Sequence, residues 1–169
     1  MADPPATRIA LIADTHMPRG PRRLPDACLE ALAGADLIVH AGDFTGPEVL
    51  AEIAAIGPPL VAVHGNVDAP EVAAALPARA TVEAGGATLA VVHDAGPRRG
   101  RLERMRLQFP GADAVVFGHS HMPLHESAGG FQIFNPGSPT ERRRAPAHTM
   151  GIAVAAGGRV EFELFEISR

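Results

Sequence analysis

At 169 residues, 46% of them apolar, the chain is long enough and apolar enough to bury a core as one domain, which excludes a disordered chain. Its net charge is −4 and every cation is an arginine, which argues against a dedicated nucleic-acid or anionic-membrane binder. No signal segment opens the chain, no run approaches the roughly 18 apolar residues of a membrane span, and the single Cys28 cannot close an internal disulfide, so a cytoplasmic protein is expected.

In chain order, "MADPPAT" (1–7) reads as a flexible, Pro-rich tail ahead of one domain over 8–169. "RIALIA" (8–13) is a strand followed by Asp14-Thr15-His16. Leu24–Ala33 has helical apolar spacing, with Pro25 in the first turn and Cys28 as a small buried hydrophobe. "DLIVH" (36–40) is a strand leading to Gly42-Asp43, and Gly46–Ile56 opens as a helix should. "LVAVH" (60–64) runs into Gly65-Asn66-Val67-Asp68, and Pro70–Leu76 is a short helix. Gly85-Gly86 makes a hairpin of "ATVEA" and "ATLAVV", the second ending at His93-Asp94. Arg99–Phe109 is a helix stopped by Pro110-Gly111. "ADAVVF" (112–117) leads to Gly118-His119-Ser120-His121, and "FQIFN" (131–135) is a further strand. Gly157-Gly158 turns a last hairpin, whose "RVEFELFEI" alternates as a half-solvated strand does.

Unbroken apolar runs of about five residues suit strands covered on both faces. Strand–helix alternation that ends β-rich fits an α/β fold, a two-sheet β-sandwich flanked by helices. Five of the runs end in ligand-type residues: Asp14 and His16; Asp43; Asn66; His93; His119 and His121. The carboxyl ends of parallel strands share one rim, so these side chains should converge. Seven groups exceed the four of a tetrahedral zinc site. Two ions sharing a carboxylate account for the number, and Asp43, central in sequence, is the candidate bridge. Mixed nitrogen and oxygen donors suit Mn²⁺, Fe²⁺, Ni²⁺ or Zn²⁺ better than Ca²⁺ or Mg²⁺, with Mn²⁺ preferred.

"ADTHMP", "HAGDFTG", "VHGNVDAP" and "VFGHSHMP", in that order, resemble the calcineurin-like metallophosphoesterase superfamily. "NPGSPTERR" is similar to a segment of its small bacterial phosphodiesterase branch. The resemblance implies the same α/β/β/α sandwich. It implies one ion on Asp14, His16, Asp43 and His121 and a second on Asp43, Asn66, His93 and His119, roughly 3.5–4 Å apart. It further implies a phosphodiesterase working by in-line attack of a metal-bridging hydroxide, with Asp43, Asn66 and His119 as catalytic residues. The substrate expected is a small phosphodiester.

Many relatives carry histidine where this chain has Val67, which can neither donate a proton nor steady a transition state. That weakens the alternative of a phosphomonoesterase or protein phosphatase. A second alternative is a non-catalytic metal-binding interaction scaffold, the use made of the retromer subunit that resembles this family. Asn66, Asp68, Arg142 and Arg143 are the candidate substrate contacts, although Asp68 is equally suited to orienting a ligand or capping the next helix. His64 is a candidate proton source or a plain strand-end residue, Asp94 a neighbour of the ligands or a loop residue, and Ser138 a turn former. His125 is expected near the rim and His148 on the surface, and His40 is left unplaced. A homo-oligomer is compatible with the sequence, which does not name the substrate.

Overall fold

The computed structural model describes residues 2–18 and 20–167. Among the described residues ten strands form two five-stranded sheets, flanked by four helices. The first sheet contains β1 (Thr7–Ile12), β2 (Leu37–His40), β3 (Leu60–Ala62), β9 (His148–Ala156) and β10 (Arg159–Ile167), in the order β10-β9-β1-β2-β3. The second contains β4 (Arg79–Ala84), β5 (Ala87–Val92), β6 (Ala114–Val116), β7 (Leu124–Ala128) and β8 (Phe131–Asn135), in the order β4-β5-β6-β8-β7. The expected sandwich is therefore the observed one.

The apolar runs explain the layers. Ile9 and Leu11 of β1 point between the sheets, where they meet Val39, Leu89, Val91, Val116 and Phe134. Ala10 and Ile12 point the other way, onto α1 (Asp26–Ala33), α2 (Pro47–Ala54) and α3 (Pro70–Ala75) through Cys28, Leu32, Val49, Ile53 and Val72. On the far side, Met105 and Leu102 of α4 (Arg101–Gln108) cover Ala90, Val115, Phe131 and Ile133. A strand buried on both faces needs no polar alternation, hence the unbroken runs.

Several boundaries move. Thr7, assigned above to the tail, pairs with Ala155 and begins β1. Pro25 is not in the first turn of α1 but is its extended N-cap, with ψ 150°. Gly100, at φ 71°, delays the start of α4 to Arg101. The strand β7 was not foreseen, although Gly129-Gly130 turns it into β8 as Gly85-Gly86 and Gly157-Gly158 turn the other hairpins. On the edge strand β10 the alternation fades: Val160 and Phe162 face the core between the sheets, while Leu164 and Phe165 are each 44% exposed. No helix among the described residues is long and apolar enough to cross a membrane.

β1, β2 and β3 run parallel, as do β5 and β6. Stacking the sheets brings the carboxyl ends of all five to one edge. The loops are stitched there by main-chain bonds, Asp14 N–H to Gly42 O (2.9 Å), His16 N–H to Asp43 O (3.0 Å) and Gly118 N–H to His93 O (2.9 Å).

Candidate metal centre

Three of the five chain segments turn sharply where they leave their strands, aiming a side chain back across the rim. Asp14 (φ 56°), His16 (44°), Asp43 (64°), His119 (73°) and His121 (60°) all adopt left-handed backbone. Residues with a Cβ rarely do so, and concentrated strain of this kind marks a site. The glycines of the motifs have a different reason. A Cβ on Gly65 would lie 2.0 Å from Asp43 Oδ1, and one on Gly42 would lie 2.7 Å from His93 Nδ1. Those positions are glycine because the ligands occupy the space a side chain needs.

The structure brings all seven foreseen side chains to this rim. Asp43 Oδ2 lies 3.5 Å from His16 Nε2 and 3.1 Å from His93 Nε2, between the two rings. Asp14 Oδ1 lies 3.7 Å from His121 Nε2 and 3.9 Å from His16 Nε2. Asn66 Oδ1 is 2.9 Å from His93 Nε2 and 3.0 Å from His119 Nδ1. Asp14, His16 and His121 form one ligand group; Asp14, Asp43 and His93 form a second.

The tautomers follow from the partners behind the rings. His93 Nδ1–H donates to the Ala41 carbonyl at 2.7 Å, and His121 Nδ1–H donates to the Glu141 carbonyl. A neutral His93 then presents a bare Nε2 lone pair to two oxygen acceptors, Asp43 Oδ2 and Asn66 Oδ1. That arrangement is repulsive unless a proton or a metal cation sits among them.

Residues 7–157 match the calcineurin-like phosphoesterase superfamily domain. The chain belongs to that superfamily. Among its relatives is a "Probable metallophosphoesterase" of Methanothermobacter thermautotrophicus, 31% identical over 149 residues, which are 86% of this chain and 85% of the relative. Vacuolar Protein Sorting 29 from Cryptosporidium parvum shares the fold with a TM-score of 0.78 at 20% identity, covering 97% of this chain and 99% of the other. An archaeal protein described as a novel phosphodiesterase shares it with a TM-score of 0.69 at 18% identity, covering 94% and 99%.

The donor set of this calcineurin-like phosphoesterase fits divalent metal. Asp14 Oδ2, His16 Nε2 and His121 Nε2 are buried with no hydrogen-bond partner among the described residues. Buried polar atoms are rarely left so, since each costs about 1–3 kcal/mol. A cation within reach of all three accounts for them, and donors that mix imidazole with carboxylate and amide oxygen suit a borderline transition metal.

Electrostatics couple the bridge to its neighbours. Burial by itself raises the Asp43 carboxyl, but His93, the Val67 N–H and His16 outweigh it and hold the group below its ordinary range. For His93, burial lowers the imidazole while Asp43 and Asp14 more than compensate, so it sits above its ordinary value. His121 is lowered, by burial first, with Asp14 only partly restoring it. His40 is wholly buried and pushed down to about 3, by burial first and His93 second. It stacks on Phe44 at 3.6 Å, accepts the Gly42 N–H at Nδ1 (3.1 Å), and so donates from Nε2 to Thr15 Oγ1 (3.1 Å). Unplaced by the sequence, it proves to be a neutral pillar under the Asp43 loop.

Asp68 accepts three main-chain N–H groups, from Asp43 (3.0 Å), Thr45 (2.8 Å) and Gly65 (2.7 Å). Its carboxylate ties the loops carrying Asp43 and Asn66 together, and it does not cap α3, whose N-cap is Ala69. Arg142 is likewise engaged within its own loop, donating to Ala145 O at 2.8 Å. Arg143 faces a hollow of about 410 Å³ shared with Ser120, Met122 and Arg144. A larger hollow, about 640 Å³, lies around Arg22, Arg23, Pro139 and His148 and includes none of the seven ligands.

One histidine placement needs correction. His148, expected on the surface, is buried at 8% exposure at the start of the inner strand β9. His125 lies on β7, paired with Phe134 near the end of β8, against Phe134 and Phe162 and 2.8 Å from Gln132 Oε1. His64 is half-buried, 3.4 Å from Gly65 O and in neither ligand group. Asp94 accepts the Gly96 N–H at 2.8 Å and lies 3.9 Å from His119 Nε2.

Ser138 does form the turn. Its hydroxyl donates to Asp14 O (2.8 Å) and accepts the N–H groups of Thr140 and Glu141. Asn135 was missed: it donates to Gly118 O (3.0 Å) and accepts the Gly137 N–H (2.9 Å), pinning the histidine loop to the segment after β8. Glu141, missed as well, stands behind two of the histidines. The only sequence signal for either was membership of "NPGSPTERR".

Proposed function

We propose that this chain is a dinuclear metal-dependent phosphodiesterase. The observation that carries the reading is the convergence of seven donor side chains, three of whose buried atoms have no hydrogen-bond partner among the described residues. Asp14, His16, Asp43 and His121 would hold one divalent ion, and Asp43, Asn66, His93 and His119 the other, Mn²⁺ being preferred for the mixed donors. When bound, such a pair supplies Lewis-acid activation of water and neutralises charge on phosphate oxygens.

The chain's own residues set the rest. Asp43, between His16 and His93, would lend its carboxylate to both halves of the centre. Asn66 and His119 are the exposed members, so they meet the substrate first and are the residues assigned catalytic roles with Asp43. Arg143 stands at the adjoining hollow, placed to meet an anionic substrate. Val67, 43% exposed at the rim, offers no proton to a leaving group. That favours diesters whose leaving group is stable as an anion over monoesters or phosphoproteins.

The test is hydrolysis of bis-p-nitrophenyl phosphate by chelator-treated protein after adding Mn²⁺, Ni²⁺ or Zn²⁺, beside p-nitrophenyl phosphate. Metal-dependent turnover that favours the diester supports the reading. Turnover favouring the monoester points to a phosphomonoesterase. No turnover with any of the three metals, together with one stable protein partner, points to the scaffold.

A further inference from the structure

We propose that Glu141 is a positioning residue that fixes His16 and His121 for metal, with Arg22 as its counter-charge. The inference rests on the dinuclear reading and adds to it a residue outside the seven donors.

A metal-ligating imidazole needs its second nitrogen held, because that bond fixes both the tautomer and the aim of the first. On the buried half of the centre one residue serves two rings. The Glu141 main-chain carbonyl takes the His121 Nδ1–H. Its carboxylate Oε2 stands 3.6 Å from His16 Nδ1 and 3.9 Å from His121 Nδ1. The two rings are 4.9 Å apart and tilted by 40°, so one carboxylate stands within ion-pair range behind both, beyond hydrogen-bond length. Their Nε2 atoms consequently turn forward, to 3.5 Å from Asp43 Oδ2 and 3.7 Å from Asp14 Oδ1.

Glu141 is itself held. Its N–H donates to Ser138 Oγ at 2.8 Å, the hydroxyl that also binds the Asp14 carbonyl. Its side chain is only 16% exposed, a costly place for a carboxylate without a cation. Arg22 Nη2 lies 3.5 Å from Oε1, and Arg22 Nη1 donates to the His16 carbonyl at 3.2 Å. One guanidinium thus grips both the carboxylate and the backbone of a ring that the carboxylate orients. Arg143 Nη2, at 4.0 Å from Oε2, is a weaker second cation. A purely structural Glu141 would need the ion pair with Arg22 but not a carboxylate midway between two Nδ1 atoms.

The experiment is a calorimetric titration of chelator-treated wild type, Glu141→Gln and Glu141→Asp with Mn²⁺, followed by electron paramagnetic resonance at the metal concentration that just fills both wild-type sites. In Glu141→Gln one binding step should weaken by about ten- to a hundredfold while the other is unchanged. The exchange-coupled Mn²⁺ pair signal should give way to that of isolated ions, and Glu141→Asp should recover part of the affinity. If Glu141→Gln binds both ions as wild type does, with the coupled signal intact, the inference falls and the dinuclear reading stands. If wild type itself takes up no metal, both fall together. Should Glu141→Gln not fold, Arg22→Gln reads the same step: weakening supports the inference, and unchanged affinity overturns it.

Discussion

The two halves of the centre are built differently. The half with Asp14, His16 and His121 is sealed: Asp14 and His121 side chains have 0% exposure and His16 has 7%. Glu141 stands behind its rings, while Arg22 and Ser138 hold the His16 and Asp14 carbonyls, all three from outside the ligand motifs. The half with Asn66 and His119 is open, with His119 45% exposed and Asp94 3.9 Å from its far nitrogen. Burial strengthens electrostatic holding and excludes water, whereas exposure lets ligands exchange. One half is thus suited to keeping a cation and the other to meeting substrate.

The largest effect should come from joining the halves wrongly. Asp43→Asn removes the shared charge from both, and turnover of bis-p-nitrophenyl phosphate should drop by about a thousandfold. Retained turnover would mean that the halves work separately. A smaller effect should separate them: His119→Ala should weaken the looser of two metal-binding steps by at least about tenfold and leave the tighter one alone. Chelator should likewise strip metal in two phases. Simultaneous loss from both would erase the distinction between sealed and open.

The smallest effect concerns the pillar beneath Asp43. In the folded chain His40 takes up a proton only near pH 3, whereas unfolded it does so near its ordinary 6.5. Between those values the unfolded state binds more protons, so stability falls as pH falls through that window. The slope is at most about 1.4 kcal/mol per pH unit. His40→Asn should flatten it in urea titrations of metal-free protein at pH 4 to 6.5. An unchanged slope would assign the acid sensitivity to other groups.

Much of this was legible in the sequence because its signals are local. A run such as "RIALI" needs two covers wherever it lies, and a glycine before Asp43 or Asn66 announces a close approach. The hairpin β7–β8 was equally legible from Gly129-Gly130 but is short and half-exposed, so its apolar signal is weak. What stayed hidden depends on meetings between distant segments. Glu141 lies 125 residues from His16 in sequence, within a run whose arginines draw the eye as anion binders. Asp68 could be read as a cap because nothing local says that three N–H groups from two loops would claim it. His148 looked like a surface residue because its burial comes from layers that precede it in the chain.

The Ser138 hydroxyl reaches back to the Asp14 carbonyl across 124 residues, and Thr140 does the same to Thr15 across 125. Closures of that span come late in folding, since chain entropy must be lost before they form. A chain cut after His121 would keep all seven donor side chains and the Asp68 ties between their loops, yet lose the Ser138, Thr140 and Glu141 contacts that brace Asp14, Thr15 and His121.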